Sequence, residues 1–196
     1  MKRVDVVFYY NFRSPYCYLT SKMVWGIFEN YHVNLVWRPL GGWSGRSDAD
    51  RAKVKIPLVR QDLRRWTKKL GIPMNPPPIT TDPTRAGAAS LLAEQQGKLK
   101  TYIIEVMRAE WAEGRDIGDL DVLADVAVRI GMDPNEVKAA ADNPDNLKKL
   151  DSNAEDASQK GIFGVPSFIV GDEFFWGNDR LDFLEDHLKE LRLSKV

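Results

Sequence analysis

Apolar residues along this chain switch between the two-residue period of strands and the longer period of helices, and those switches divide it into elements. Val4-Asp5-Val6-Val7-Phe8-Tyr9 is β-branched and aromatic, the composition of a buried strand. Leu19, Met23 and Ile27 then share one side of a helix. Val33-Asn34-Leu35-Val36-Trp37-Arg38-Pro39 alternates as a second strand, which Pro39 ends or marks as an edge. Strand, helix and strand form a βαβ unit whose crossover is right-handed. A turn-rich loop follows from Gly41 to Asp48. Val59, Leu63, Trp66 and Leu70 predict a helix over 50–70, stopped by Gly71, with its many Lys and Arg on a solvated face. Residues 72–78 read as an extended, polyproline-like run that is either a pocket wall or a bare connector.

From 84 to 160 the pattern is helical almost throughout. Ala86-Gly87-Ala88-Ala89-Ser90 is small enough for another helix to approach closely. Ile103, Val106, Met107 and Trp111 make one apolar stripe, and Leu123, Val126, Ala127 and Ile130 make another. Leu147, Leu150, Ala154 and Ala157 continue the pattern to a stop at Gly161. Asp133-Pro134-Asn135-Glu136 is a helix start, with a capping Asp and Pro at the first position. After Gly164 the period changes back. Residues 165–177 predict two strands in a hairpin turned at Gly171-Asp172. Asn178-Asp179 then caps a last helix that buries Leu181, Leu184, Leu188 and Leu191, with Phe183 alongside. The order is βαβ, a mostly helical insertion, then ββα: an α/β fold with 1–40 and 162–196 as one domain and 41–161 inserted into it.

Composition narrows the class. The chain has 196 residues, enough for one domain carrying a large insertion. Its formal net charge is +0, so no global field draws it to nucleic acid or an anionic membrane. No signal-peptide pattern and no membrane-length apolar run is visible, and a cytoplasmic location is expected. Cys17 is the single cysteine, which excludes an internal disulfide and a cysteine-based metal cluster. The two histidines, His32 and His187, read as surface or core residues, so Ser-His-Asp and metal-hydrolase chemistry are disfavoured.

The candidate chemistry sits in the turn after the first strand, Tyr10-Asn11-Phe12-Arg13-Ser14-Pro15-Tyr16-Cys17. Pro15 suits a first helical position and Ser14 the N-cap before it. Free backbone N–H groups there can hold an anion, whether phosphate, carboxylate or thiolate. Taken alone, Ser14-Pro15 reads more simply as an ordinary capping pair. Ser14-Pro15-Tyr16-Cys17 after a strand, Gly164-Val165-Pro166-Ser167-Phe168 late in the chain, and Gly177-Asn178-Asp179-Arg180-Leu181 before the last helix together resemble the thioredoxin-fold family of DsbA type. Within it they are most similar to 2-hydroxychromene-2-carboxylate isomerases and kappa-class glutathione transferases.

The resemblance implies a thioredoxin-like fold, glutathione as cofactor and a homodimer. It implies a cis Val165-Pro166 bond, with Val165 pairing its backbone to the cysteinyl part of glutathione, Asn178 and Asp179 at the γ-glutamyl end, and Lys55 toward the glycine end or the acidic substrate. Lys53 can exchange with Lys55 in that alignment. Arg46-Ser47-Asp48 stands where the family keeps Gly-Asn. Redox relatives carry Cys where this chain has Ser14, so Ser14 would donate a hydrogen bond to the glutathione thiolate, and the nucleophile would be the cofactor's sulfur. Cys17 reads either as buried packing or as a reactive thiol. Phe12, Tyr16, Trp43 and Trp66 are candidates for an aromatic pocket, with core packing open for Phe12 and Trp66. The leading expectation is a glutathione-dependent isomerase of an aromatic 2-oxo acid. The alternatives are glutathione conjugation, thiol–disulfide exchange at Cys17, and peptide binding without chemistry.

Overall fold

The structure, a computed structural model, describes residues 3–42 and 49–195. Four strands, β1 Val4–Tyr10, β2 Val33–Pro39, β3 Ser167–Val170 and β4 Glu173–Trp176, form one sheet in the order β2-β1-β3-β4. β2 runs parallel to β1, with Phe8 opposite Trp37. β3 is antiparallel to β1, with Phe8 opposite Phe168, and β4 is antiparallel to β3. The expected βαβ…ββα order is therefore the one found. The hairpin turns at Gly171, whose φ of 59° suits the two-residue connection.

The side-chain alternation of β1 builds two cores, one on each face of the sheet. Phe8 and Tyr10 point to the larger one, with Phe8 stacked on Phe168 at 4.4 Å and edge-on to Trp37 at 5.5 Å. Tyr9 points to the other, where Leu40, Ile169 and Ala157 close around it. Each large side chain so buried stabilises the fold by roughly 1.5–3 kcal/mol. Ala157 belongs to α8, Pro144–Gln159, which is tied to β2 by Asn153 Nδ2 donating to the Pro39 carbonyl at 2.9 Å.

The interval between β2 and β3 is helical: α3 Ala49–Leu70, α4 Thr84–Gln95, α5 Leu99–Met107, α6 Leu120–Arg129, α7 Pro134–Ala141 and α8. The small-residue run lies on α4, and Gly87 allows close approach: a Cβ there would stand 3.3 Å from the Leu40 carbonyl. Asp133 caps α7 by accepting from the N–H groups of Asn135 and Glu136. Among the described residues no helix is long and apolar enough to cross a membrane.

Four local expectations are corrected. The first helix is two short ones, α1 Pro15–Thr20 and α2 Trp25–Asn30. Thr20 and Ser21 turn their hydroxyls onto the Tyr16 and Tyr18 carbonyls, and the chain tightens into three-residue bonds, Lys22 N to Leu19 O and Met23 N to Thr20 O. After α5 the stripe widens into a π-turn, Arg108–Ala112. Asn178 and Asp179 do not cap the last helix, α9 Leu181–Glu190. They lie in a 3₁₀ turn, Asn178–Arg180, and neither side chain bonds the helix start. Leu181, Leu184 and Leu188 are buried as expected, while Leu191 at the end of that stripe is exposed.

Candidate functional site

The turn joining β1 to α1 is held by its own side chains. Asn11 Oδ1 accepts from the Arg13 N–H at 2.8 Å, and the Asn11 carbonyl accepts from the Ser14 N–H at 3.0 Å. This sets Ser14 in extended conformation, with φ −84° and ψ 121°, as the N-cap of α1, with Pro15 at the first helical position. Its Oγ accepts from the Cys17 N–H at 3.4 Å and donates to the Val165 carbonyl at 3.3 Å. Both bonds are long for their type, so the hydroxyl hydrogen can be redirected toward an anion at small cost.

The Val165-Pro166 bond is cis. The Pro166 carbonyl accepts from the Gly177 N–H at 2.9 Å, which draws the start of the Asn178–Arg180 turn to the same place. Two glycines make that approach possible. A Cβ on Gly164 would meet Trp176 Nε1 at 2.6 Å, and one on Gly177, whose φ is 106°, would meet Asp179 Oδ1 at 2.6 Å. The fold thus gathers Ser14, Val165, Pro166 and Asn178 from both ends of the chain. Asn178 is 2% exposed, and among the described residues its Nδ2 has no hydrogen-bond partner. A buried amide donor in that state is poised for an acceptor from outside the protein. Asp179 is exposed, pairs with Arg180 at 2.9 Å, and lies near enough to Tyr16 to help raise its pKa.

Tyr16, half-buried on the first turn of α1, donates to Asp62 Oδ2 on α3 at 3.1 Å. Burial first, then the charge and hydrogen bond of Asp62, push its phenol up to about 12. Lys55 lies on the exposed stretch of α3 that precedes Asp62, and Lys53 pairs with Asp50 at 3.2 Å. Trp66 is half-buried on the same helix beneath Lys69. Trp43 and the Arg46-Ser47-Asp48 segment lie outside the described residues.

Phe12 is a correction to the pocket expectation. Its ring is wholly buried and packs edge-on against Tyr10, Trp37 and Tyr102, because the turn directs it into the larger core. Cys17 is also fully buried. Desolvation pushes its thiol up to about 12, against the lowering effect of hydrogen bonds from Asn11 and Ser14. It is a protonated packing residue at neutral pH, which removes it as a nucleophile.

Sequence reasoning passed over Asp62, Arg13 and Glu110. Glu110, in the π-turn, is fully buried with Arg13 Nη1 3.9 Å away. The available signal was an acid, Glu110, at helical spacing on the face of the Ile103, Val106, Met107, Trp111 stripe.

Comparison with known proteins agrees with this architecture. A model of the DsbA-like thioredoxin domain family matches residues 5–189. The 2-hydroxychromene-2-carboxylate isomerases of Pseudomonas putida and Sphingobium xenophagum are 28% and 29% identical to the chain. The alignments cover 95% of this chain in both cases, and 95% and 98% of those proteins. A solved 2-hydroxychromene-2-carboxylate isomerase superposes with a TM-score of 0.81 at 26% identity, covering 95% of both chains. The cytosolic disulfide reductase DsbM from Pseudomonas aeruginosa, solved with GSH, shares the fold with a TM-score of 0.69 at 18% identity over 95% of this chain and 100% of that one. A sheet assembled from both ends of the chain, a cis-proline beside the capped helix, and a family match over nearly the full length lead to one conclusion: the chain belongs to the DsbA-like thioredoxin domain family.

Proposed function

We propose that the protein is a glutathione-dependent isomerase acting on 2-hydroxychromene-2-carboxylate or a closely similar aromatic 2-oxo acid. The observation that carries this reading is the Ser14 hydroxyl, set at the N-cap of α1 and directed at the cis Val165 carbonyl at 3.3 Å. The isomerases that match across 95% of the chain supply the reaction class. The residues present suit glutathione. Asn178 Nδ2 is a buried donor without a partner among the described residues, and Asp179 offers a carboxylate to an amino group beside it. Val165 brings its backbone next to Ser14, and Lys55 is the cation for a terminal or substrate carboxylate.

When bound, glutathione supplies the sulfur nucleophile that adds reversibly to a conjugated carbon, so that a double bond becomes single and can rotate. The chain's part is to bind, orient and hold charge. Ser14 donates its hydroxyl hydrogen to the sulfur, and the first-turn N–H groups of α1 add their dipoles. Tyr16 forms the apolar side against an aromatic ring. Thiol–disulfide exchange is disfavoured, because Ser14 stands at the attacking position and Cys17 is buried and protonated. The resemblance also points to a homodimer, which sedimentation velocity tests.

The test is ultraviolet titration of enzyme-bound glutathione, read as thiolate absorbance against pH. A hydrogen bond to a charged group is worth about 1.5–3 kcal/mol, so Ser14→Ala should raise the bound thiol's pKa by roughly 1–2 units. An unshifted titration curve in Ser14→Ala would remove Ser14 from the chemistry. Wild-type turnover of a hydroxychromene carboxylate that does not require glutathione would remove the cofactor.

A further inference from the structure

The ring of Tyr16 is the apolar wall of the proposed pocket, and its hydroxyl has a chemistry of its own. Tyr16 stands on the first turn of α1, two residues after Ser14, and is half-buried. Its Oη donates to Asp62 Oδ2 on α3 at 3.1 Å. Asp179, from the Asn178–Arg180 turn, is a second carboxylate whose charge reaches the phenol. The oxygen is therefore coupled both to α3 and to the turn that Gly177 draws up to the Pro166 carbonyl.

A phenol has one hydrogen to give and lone pairs to offer. A carboxylate only accepts, so the pair with Asp62 takes the Tyr16 hydrogen. Asp179 adds negative charge nearby and supplies no hydrogen from its carboxylate. What Tyr16 presents to a ligand is thus a lone pair in a negatively charged corner. Such a corner repels a carboxylate or a thiolate and receives an O–H group. Ser14 is the opposite kind of group, a hydroxyl at the N-cap of α1, where the backbone N–H groups favour an anion. The opening turn of α1 therefore treats the anionic and the hydroxylic parts of a ligand differently.

Opening the hemiketal of a 2-hydroxychromene moves one proton from its hydroxyl group to the ring oxygen, leaving a ketone and a phenol ortho to the side chain. We infer that Tyr16 is a specificity residue that accepts a hydrogen bond from this phenolic hydroxyl, and that Asp62 is the positioning residue that keeps the Tyr16 hydrogen turned away from the substrate. The inference rests on the proposed isomerase reading, since that reading supplies the phenol. Tyr16 then favours the ring-opened form over the closed one, in which the same oxygen is an ether, and free phenols over their methyl ethers.

The test reads binding, which does not depend on the sulfur chemistry. Cinnamate, 2-hydroxycinnamate and 2-methoxycinnamate are titrated calorimetrically into the wild type, Tyr16→Phe, Asp62→Asn and Asp62→Ala. The wild type should bind the hydroxy acid about five-fold more tightly than the methoxy acid, as one hydrogen bond allows. Tyr16→Phe should abolish that preference. Asp62→Asn, whose amide oxygen still accepts from Tyr16, should keep it. Asp62→Ala, which frees the Tyr16 hydrogen for an ether oxygen, should lose it. A preference that survives Tyr16→Phe would overturn the inference. So would equal losses for all three acids in that variant, because Tyr16 would then only hold α3 in place. Glutathione titrated into Tyr16→Phe should lose less affinity than the hydroxy acid does, and an equal loss would assign Tyr16 to the tripeptide and overturn the inference as well. A wild type that binds none of the three acids would do the same. Thiolate absorbance of glutathione bound to the wild type reports on the isomerase proposal separately.

Discussion

At the scale of single residues, the site depends on positions where one atom more or less changes what can meet. Gly177 is such a position, because its φ of 106° is a backbone conformation that residues with a side chain rarely adopt, and a Cβ there would also displace the Asp179 carboxylate. Gly177→Ala should destabilise the protein by about 1–3 kcal/mol, measured by urea denaturation, and should also weaken glutathione binding, because the Asn178–Arg180 turn moves with it. Unchanged stability would show that the turn accommodates a methyl group without strain. Cys17 makes the opposite prediction. Its buried thiol should resist alkylation in the native state and react once the chain is unfolded. Cys17→Ala should keep glutathione-dependent turnover. Rapid native-state labelling would contradict the burial, and lost turnover would reopen thiol chemistry. The Ser14-Pro15 cap was legible in the sequence because capping is a matter of neighbours. The role of Phe12 was not, since an aromatic residue in a turn can face a pocket or a core, and only packing against Tyr10, Trp37 and Tyr102 decides.

At the scale of elements, the hydrogen bond between Tyr16 and Asp62 is what carries α3 to the site. Beyond it, Val54, Ile56 and Leu58 on the earlier turns of α3 are exposed, as is Lys55. Tyr16→Phe should cost about 0.5–1.5 kcal/mol and weaken substrate binding through α3 more than glutathione thiolate formation at Ser14. Thiolate titration beside a KM measurement separates the two. The folded-state pKa of Tyr16 is raised above its ordinary value, to about 12. Its contribution to stability is therefore complete below about 10 and is lost as pH rises through about 12, a slope that Tyr16→Phe should flatten. The helical stripes of the insertion could be read from spacing alone. Where the first helix breaks could not. Thr20 and Ser21 are tolerated within a helix, and the break follows from their hydroxyls finding the Tyr16 and Tyr18 carbonyls.

At the scale of the whole molecule, Glu110 is a buried acid held by the insertion against the turn that β1 supplies. Burial raises its folded-state pKa. The unfolded chain therefore ionises Glu110 first, and stability falls as pH rises above the ordinary carboxylate value toward the folded one. Glu110→Gln removes that linkage. It should raise the melting temperature at neutral pH and leave it unchanged in acid, where both side chains are neutral. A variant less stable than the wild type at neutral pH would show that an ionised Glu110 holds the two parts of the fold together.

Chain order, strand and helix periods, the Ser14-Pro15 cap, the hairpin at Gly171 and the three motifs that carry the family resemblance were all determined by the sequence. Each rests on interactions between residues close along the chain, which spacing and residue type encode. Tertiary structure alone decided which side chains meet across long separations. It brought Ser14 to Val165, buried Cys17 and Phe12, left Asn178 Nδ2 without a partner among the described residues and put Glu110 beside Arg13. The physical reason is that burial and charge belong to the packed environment of a group, and that environment forms only when distant segments close around it.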